Sequence, residues 1–102
     1  MGKKGRIALE DKSIGIIIGR IIRKKRKDYQ KKDKKWTQEY VAEQADVDYP
    51  HYGKFERGKI EQPQFLTIAK LADVLNMSLD EIWEEYEIEK QKYLEEEDRK
   101  KQ

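Results

Sequence analysis

Few side chains in this sequence could do covalent chemistry. Across 102 residues there is no cysteine, one histidine (His51) and two serines (Ser13 and Ser78). The missing cysteines exclude disulfides, thiolate metal sites and cysteine nucleophiles together. A single histidine with no thiolate beside it does not make a metal site. No nucleophile–base pair can be assembled around it either. The expectation is therefore a protein that is not an enzyme and needs no metal or cofactor. What the sequence offers instead is charge. Residues 1–35 carry +10, residues 36–79 carry −3 and residues 80–102 carry −5, a gradient hidden inside a net charge of +2. A basic front and an acidic tail suggest one side turned toward a polyanion and one turned away. Highly charged surfaces are common, so charge alone does not decide the partner.

Such a surface needs elements to position it. From Trp36 to Gly58 the chain reads as two short helices joined by a tight turn. Thr37 caps the first, whose Tyr40, Val41 and Ala45 face inward, and which ends near Ala45. Asp48 caps the second. Pro50 is tolerated in its first turn, where amide hydrogens have no helical partner. Tyr52 and Phe55 of that helix point to the core, Gly58 stops it, and the small Ala42 sits at the helix crossing. This is the helix-turn-helix plan, in which the second helix is shaped for the major groove of DNA.

The remaining sequence supplies a scaffold. Charged residues make up 43% and hydrophobics 36%, so a chain of this length has one concentrated core in a single domain. No run of about 18 apolar residues occurs, which excludes a membrane span. No secretory signal is visible, and a cytoplasmic protein is expected. Residues 1–12 read as a flexible basic arm. Ser13 is placed to cap a helix with Ile14, Ile17, Ile18, Ile21 and Ile22 on one face and Arg20, Arg23, Lys24 and Lys27 on the other. That helix should reach about Asp28, followed by a lysine-rich connection from Tyr29 to Lys35. Pro63 opens a fourth helix with Phe65, Ile68, Leu71, Ala72 and Leu75 on one face. Asn76 suits a left-handed C-terminal position. Ser78 and Glu81 form a capping box for a fifth helix whose apolar side is Leu79, Ile82, Trp83 and Tyr86. Residues 13–86 thus form the domain, and 87–102 a charged helical extension or tail. The fold class is all-α, a compact five-helix arrangement.

Taken in order, the motifs Ile18-Gly19 … Ile22 … Arg26, Thr37-Gln38-Glu39 … Ala42, Phe55-Glu56-Arg57-Gly58-Lys59, Pro63 … Phe65 … Leu71-Ala72 and Leu75-Asn76-Met77-Ser78-Leu79-Asp80-Glu81-Ile82 resemble the phage repressor/Cro-type (XRE-like) DNA-binding domain. The resemblance covers roughly residues 14–83. It implies double-stranded DNA as the partner. Tyr49, Pro50, His51 and Lys54 would take the groove-facing positions, with Gln38, Arg57, Lys59 and Lys35 against phosphates. Arg26 and Glu56 would form a partly buried ion pair tying helix one to helix three. Lys3, Lys4 and Arg6 correspond to the duplex-wrapping arm that some phage repressors have. This sequence departs from the family pattern in three ways. The interval from Arg26 to Gln38 is about five residues longer than usual, Lys25 stands at an ordinarily apolar position, and helix three contains Pro50 and Gly53.

The resulting expectation is a transcriptional regulator, most simply a repressor, that binds an inverted repeat as a homodimer. Helix five would supply the dimer surface through Leu79, Ile82, Trp83 and Tyr86. No small-molecule ligand is implied. The alternative is a protein-interaction module or antitoxin-type partner on the same fold, with the C-terminal tail as its partner-binding segment.

Overall fold

A computed structural model describes the backbone of residues 4–100 and the side chains from Ser13 to Lys100. Five helices follow one another: α1 (Lys4–Lys32), α2 (Gln38–Ala45), α3 (Tyr49–Glu56), α4 (Phe65–Val74) and α5 (Leu79–Lys100). No strand is present among the described residues. The short helices begin and end where local chemistry directs. Thr37 Oγ1 accepts from the Tyr40 amide at 3.1 Å, Asp48 from the His51 amide at 3.3 Å and Ser78 from the Glu81 amide at 3.0 Å. Each cap satisfies an amide that has no helical partner, worth about 1 kcal/mol. Asp46 and Asn76 both adopt φ 55°, the left-handed conformation their short polar side chains tolerate, and so end α2 and α4.

α1 is longer than its apolar pattern implies. It begins at Lys4 and not at Ser13, and it runs to Lys32 and not to Asp28. Ser13 is consequently a buried interior residue and caps nothing. The connection to α2 is short, and an aromatic column pins it. Tyr29 stacks on Trp36 at 4.6 Å, and Trp36 meets Tyr40 edge-on at 5.2 Å. The Tyr29 hydroxyl donates to the Leu75 carbonyl at 2.7 Å, tying the end of α1 to the end of α4.

The core lies where α1 crosses the other helices. α1 packs on α3 and α5, while α2 packs on α3 and α4. Ile17, Ile22, Val41, Tyr52, Phe55, Leu71 and Leu75 are fully buried there. Two glycines of α1 let its backbone come close to α3 and to the loop after it. A Cβ at Gly15 would lie 1.8 Å from the Ile60 carbonyl oxygen, and one at Gly19 would lie 2.4 Å from the Phe55 carbonyl oxygen.

One expectation for a core residue needs correction. Phe65 is 68% exposed, because it is the first residue of α4 and the inward face starts a turn later. α4 accordingly begins after Pro63, with Gln64 in the cap position. The sequence beyond Glu87 continues α5 as an unbroken helix to Lys100.

Candidate nucleic-acid interface

α3 has two faces that do different work. Tyr52, Phe55 and Glu56 are buried against the core. Tyr49, Pro50 and Lys54 are exposed on the other side, and His51 is half-buried. The exposed side chains are an aromatic hydroxyl, an apolar ring and a primary amine, held on a helix that cannot rotate without unpacking Tyr52 and Phe55.

The buried side of α3 ends in a polar knot. Glu56 accepts from Arg26 Nε at 2.7 Å and Arg26 Nη2 at 3.0 Å, a bidentate pair with side chains 4% and 0% exposed. It also accepts from Gln38 Nε2 at 2.9 Å and from the Tyr52 hydroxyl. Arg26 in turn donates to the Trp36 carbonyl at 3.1 Å. Three elements therefore meet at one carboxylate: α1 through Arg26, the first residue of α2 through Gln38, and α3 itself. Burial by itself would raise the Glu56 carboxyl, but hydrogen bonds from Arg26, Tyr52 and Gln38 outweigh it and hold the group below its ordinary range. The hydrogen bond to Glu56 raises Arg26 against the opposing effect of burial. Burial, with the Glu56 charge, pushes the Tyr52 hydroxyl well above its usual value. All three groups are thus fixed at neutral pH as carboxylate, guanidinium and neutral phenol.

Gly53 lies on α3 beside this knot. A Cβ there would meet Arg57 Nη1 at 3.1 Å and Gln38 Oε1 at 3.7 Å. The missing side chain is what lets Arg57 fold back over α3 next to Gln38. Gln38 and Arg57 also share a cleft of about 930 Å³ with Arg20, Arg23, Lys24 and Lys27 of α1. The structure therefore brings two of the four expected phosphate-facing residues together. Lys59, in the loop after α3, and Lys35, in the α1–α2 connection, are exposed but do not line that cleft. Lys35 instead sits over the Tyr40 ring at 5.6 Å and pairs with Asp33 at 3.7 Å. Lys3, and the side chains of Lys4 and Arg6, lie outside the described residues.

A family model described as helix-turn-helix matches residues 22–82, more than half of the chain. The chain belongs to the XRE-type helix-turn-helix family. No curated protein and no solved structure matches it. The family is one of DNA-binding regulators, and α2 with α3 is its helix-turn-helix.

In this helix-turn-helix protein the α1 cations were legible as a polar face but not as a wall of the cleft that holds Gln38 and Arg57. Arg20, Arg23, Lys24 and Lys27 recur at three- and four-residue intervals, which is the signal that places them on one stripe. Only the fold shows that this stripe opens beside Gln38 and Arg57. Lys25, at a family position that is ordinarily apolar, reaches out to pair with Glu81 at 3.3 Å. On α5, Leu79 and Trp83 are 47% and 60% exposed, whereas Ile82 and Tyr86 are buried within the chain. Among the described residues no helix is long and apolar enough to cross a membrane.

Proposed function

We propose that this protein is a sequence-specific transcription regulator, acting as a repressor, that reads the major groove with α3 and binds an inverted repeat as a dimer. The observation that carries the reading is the division of α3. Its buried face is locked by Tyr52, Phe55 and the Glu56 knot, and its exposed face offers Tyr49, Pro50 and Lys54. Base reading needs such a rigid mount, because discrimination depends on hydrogen-bond geometry at the base edge. Lys54 can donate to guanine O6 and N7. Tyr49 can donate to a base edge or cover a thymine methyl, and Pro50 and His51 add shape to the same face. Gln38 and Arg57, beside them, hold backbone phosphates and set the register, with Lys59 and Lys35 flanking. Lys3 and the α1 residues Lys4 and Arg6 add a further cationic contact.

The same reading assigns self-association to α5. Leu79 and Trp83 form its outward contact, while Ile82 and Tyr86 support them from below. Two α3 helices so paired reach half-sites about 34 Å apart on one duplex face. Binding curves on operator and non-operator duplexes test the assignment of roles. Lys54→Ala should cost roughly 1–3 kcal/mol at one base pair per half-site and relax the preference there. Gln38→Ala should weaken binding to every sequence alike. An unchanged site preference in Lys54→Ala would remove Lys54 from the base-reading set.

A further inference from the structure

The cleft between α1 and the end of α3 has a third wall, and that wall is acidic. Glu89 of α5 lines the same cleft as Arg20, Arg23, Lys24, Lys27 and Arg57, with its side chain only 14% exposed and paired at 3.7 Å with Lys92 of its own helix. Four residues further along α5, the Tyr93 ring lies 5.7 Å from the Arg20 guanidinium, and Glu96 pairs with Arg20 at 3.6 Å. Glu89, Tyr93 and Glu96 recur at i, i+4 and i+7, so one edge of α5 lays carboxylate, ring and carboxylate along the basic stripe. Arg23, Lys24 and Lys27 form no ion pair with any described residue.

Such an arrangement suits an exchange of partners more than a fixed brace. Arg20 and Glu96 are 43% and 44% exposed, and a pair that exposed contributes little to stability. The buried residues of α5, Ile82 and Tyr86, precede Glu89, and of this edge only Tyr93 packs against the core, so its two carboxylates can be altered without opening it. A duplex seated on Gln38 and Arg57 would carry its phosphates toward the same cations.

We propose that the α1 cleft is an additional site for duplex phosphates, and that the Glu89–Tyr93–Glu96 edge of α5 competes with them for it. This rests on the duplex-binding reading above. α5 then sets a threshold. It weakens binding to all duplexes by a common factor, so only sites with favourable base contacts hold the protein.

Fluorescence anisotropy of a labelled random-sequence duplex, titrated with the full chain from low to moderate salt, tests this. Glu89→Gln/Glu96→Gln should bind about tenfold tighter than the unaltered protein at low salt. Glu84→Gln/Glu87→Gln removes the same charge from exposed positions outside the cleft and should gain far less. Arg23→Gln/Lys27→Gln should lower the salt slope by about 2, at about 0.9 per phosphate contact. With Arg20→Gln added to that background, Glu89→Gln/Glu96→Gln should gain little. Thermal melts accompany each variant, and Glu89→Gln alone serves if the Glu96 change loosens α5. Equal gains from both glutamate pairs, or a gain that persists in full without Arg20, Arg23 and Lys27, would overturn the competition while leaving duplex binding intact. Absence of duplex binding in every variant would instead overturn the duplex-binding reading and the cleft site with it.

Discussion

Glu56 is the residue on which the mounting of α3 turns. Its carboxylate is fully buried and receives hydrogen bonds from Arg26, Gln38 and Tyr52, so every acceptor position is used. Its pKa is depressed in the folded protein. The stability it contributes is therefore complete above the unfolded carboxyl value near about 4.3 and is lost as pH falls through the lower folded value. Glu56→Gln leaves Arg26 buried without its counter-charge and should cost about 3–5 kcal/mol at neutral pH. Denaturant unfolding from pH 7 down to pH 3 should then show a smaller acid loss in the variant than in the unaltered protein. Parallel pH curves would mean that Glu56 is not the titrating group. The Arg26–Glu56 pair was legible from residue type and family position. The Tyr52 hydroxyl was not, because a tyrosine on an apolar helical face is judged by its ring, and only packing brings the oxygen to Glu56. Gly53 was equally open in sequence and acquires its meaning from the Arg57 guanidinium that lies over it.

At the scale of elements, glycine decides how closely α1 comes to α3 and to the loop after it. Gly15→Ala would place a methyl group against the Ile60 carbonyl, a backbone atom that can move only with the loop. The gain of about 1 kcal/mol in helix propensity should be outweighed, leaving a net loss of about 1–3 kcal/mol. Gly53→Ala meets the flexible end of Arg57 instead, so it should hold or raise the melting temperature while weakening duplex affinity through a displaced Arg57. Paired thermal melts and binding curves check both, and a stabilised Gly15→Ala would contradict the close backbone approach. The capped helices α2 and α3, and the N-terminus of α5, were legible because Thr37, Asp48 and Ser78 write their own start signals. α1 was not, since Ser13 imitates a cap. Leu9, Ala8, Glu10 and Lys12 before it are good helix formers with no proline among them, and they carry the helix upstream. Phe65 misled for a related reason. Periodicity assigns a face to a residue but does not say whether the helix has reached the core at its first turn.

At the scale of the whole molecule, the charge gradient of the sequence becomes a layout in space. The α1 stripe lies beside Gln38 and Arg57, and the acidic α5 runs against α1 with its carboxylates at Arg20 and Lys25. Composition showed the two charges but not that they touch, because that contact depends on how α5 continues past Tyr86. Leu79 and Trp83 are outward and apolar, and the dimer proposed through them would set the spacing of the two α3 helices. Base reading by α3 in a dimer is the central claim, and selection of a random duplex library on the purified protein near physiological salt tests it most directly. The expected result is an enriched inverted repeat with half-sites one helical turn apart. Retention of duplex without any enriched sequence would contradict it and leave a protein that binds phosphate without reading bases.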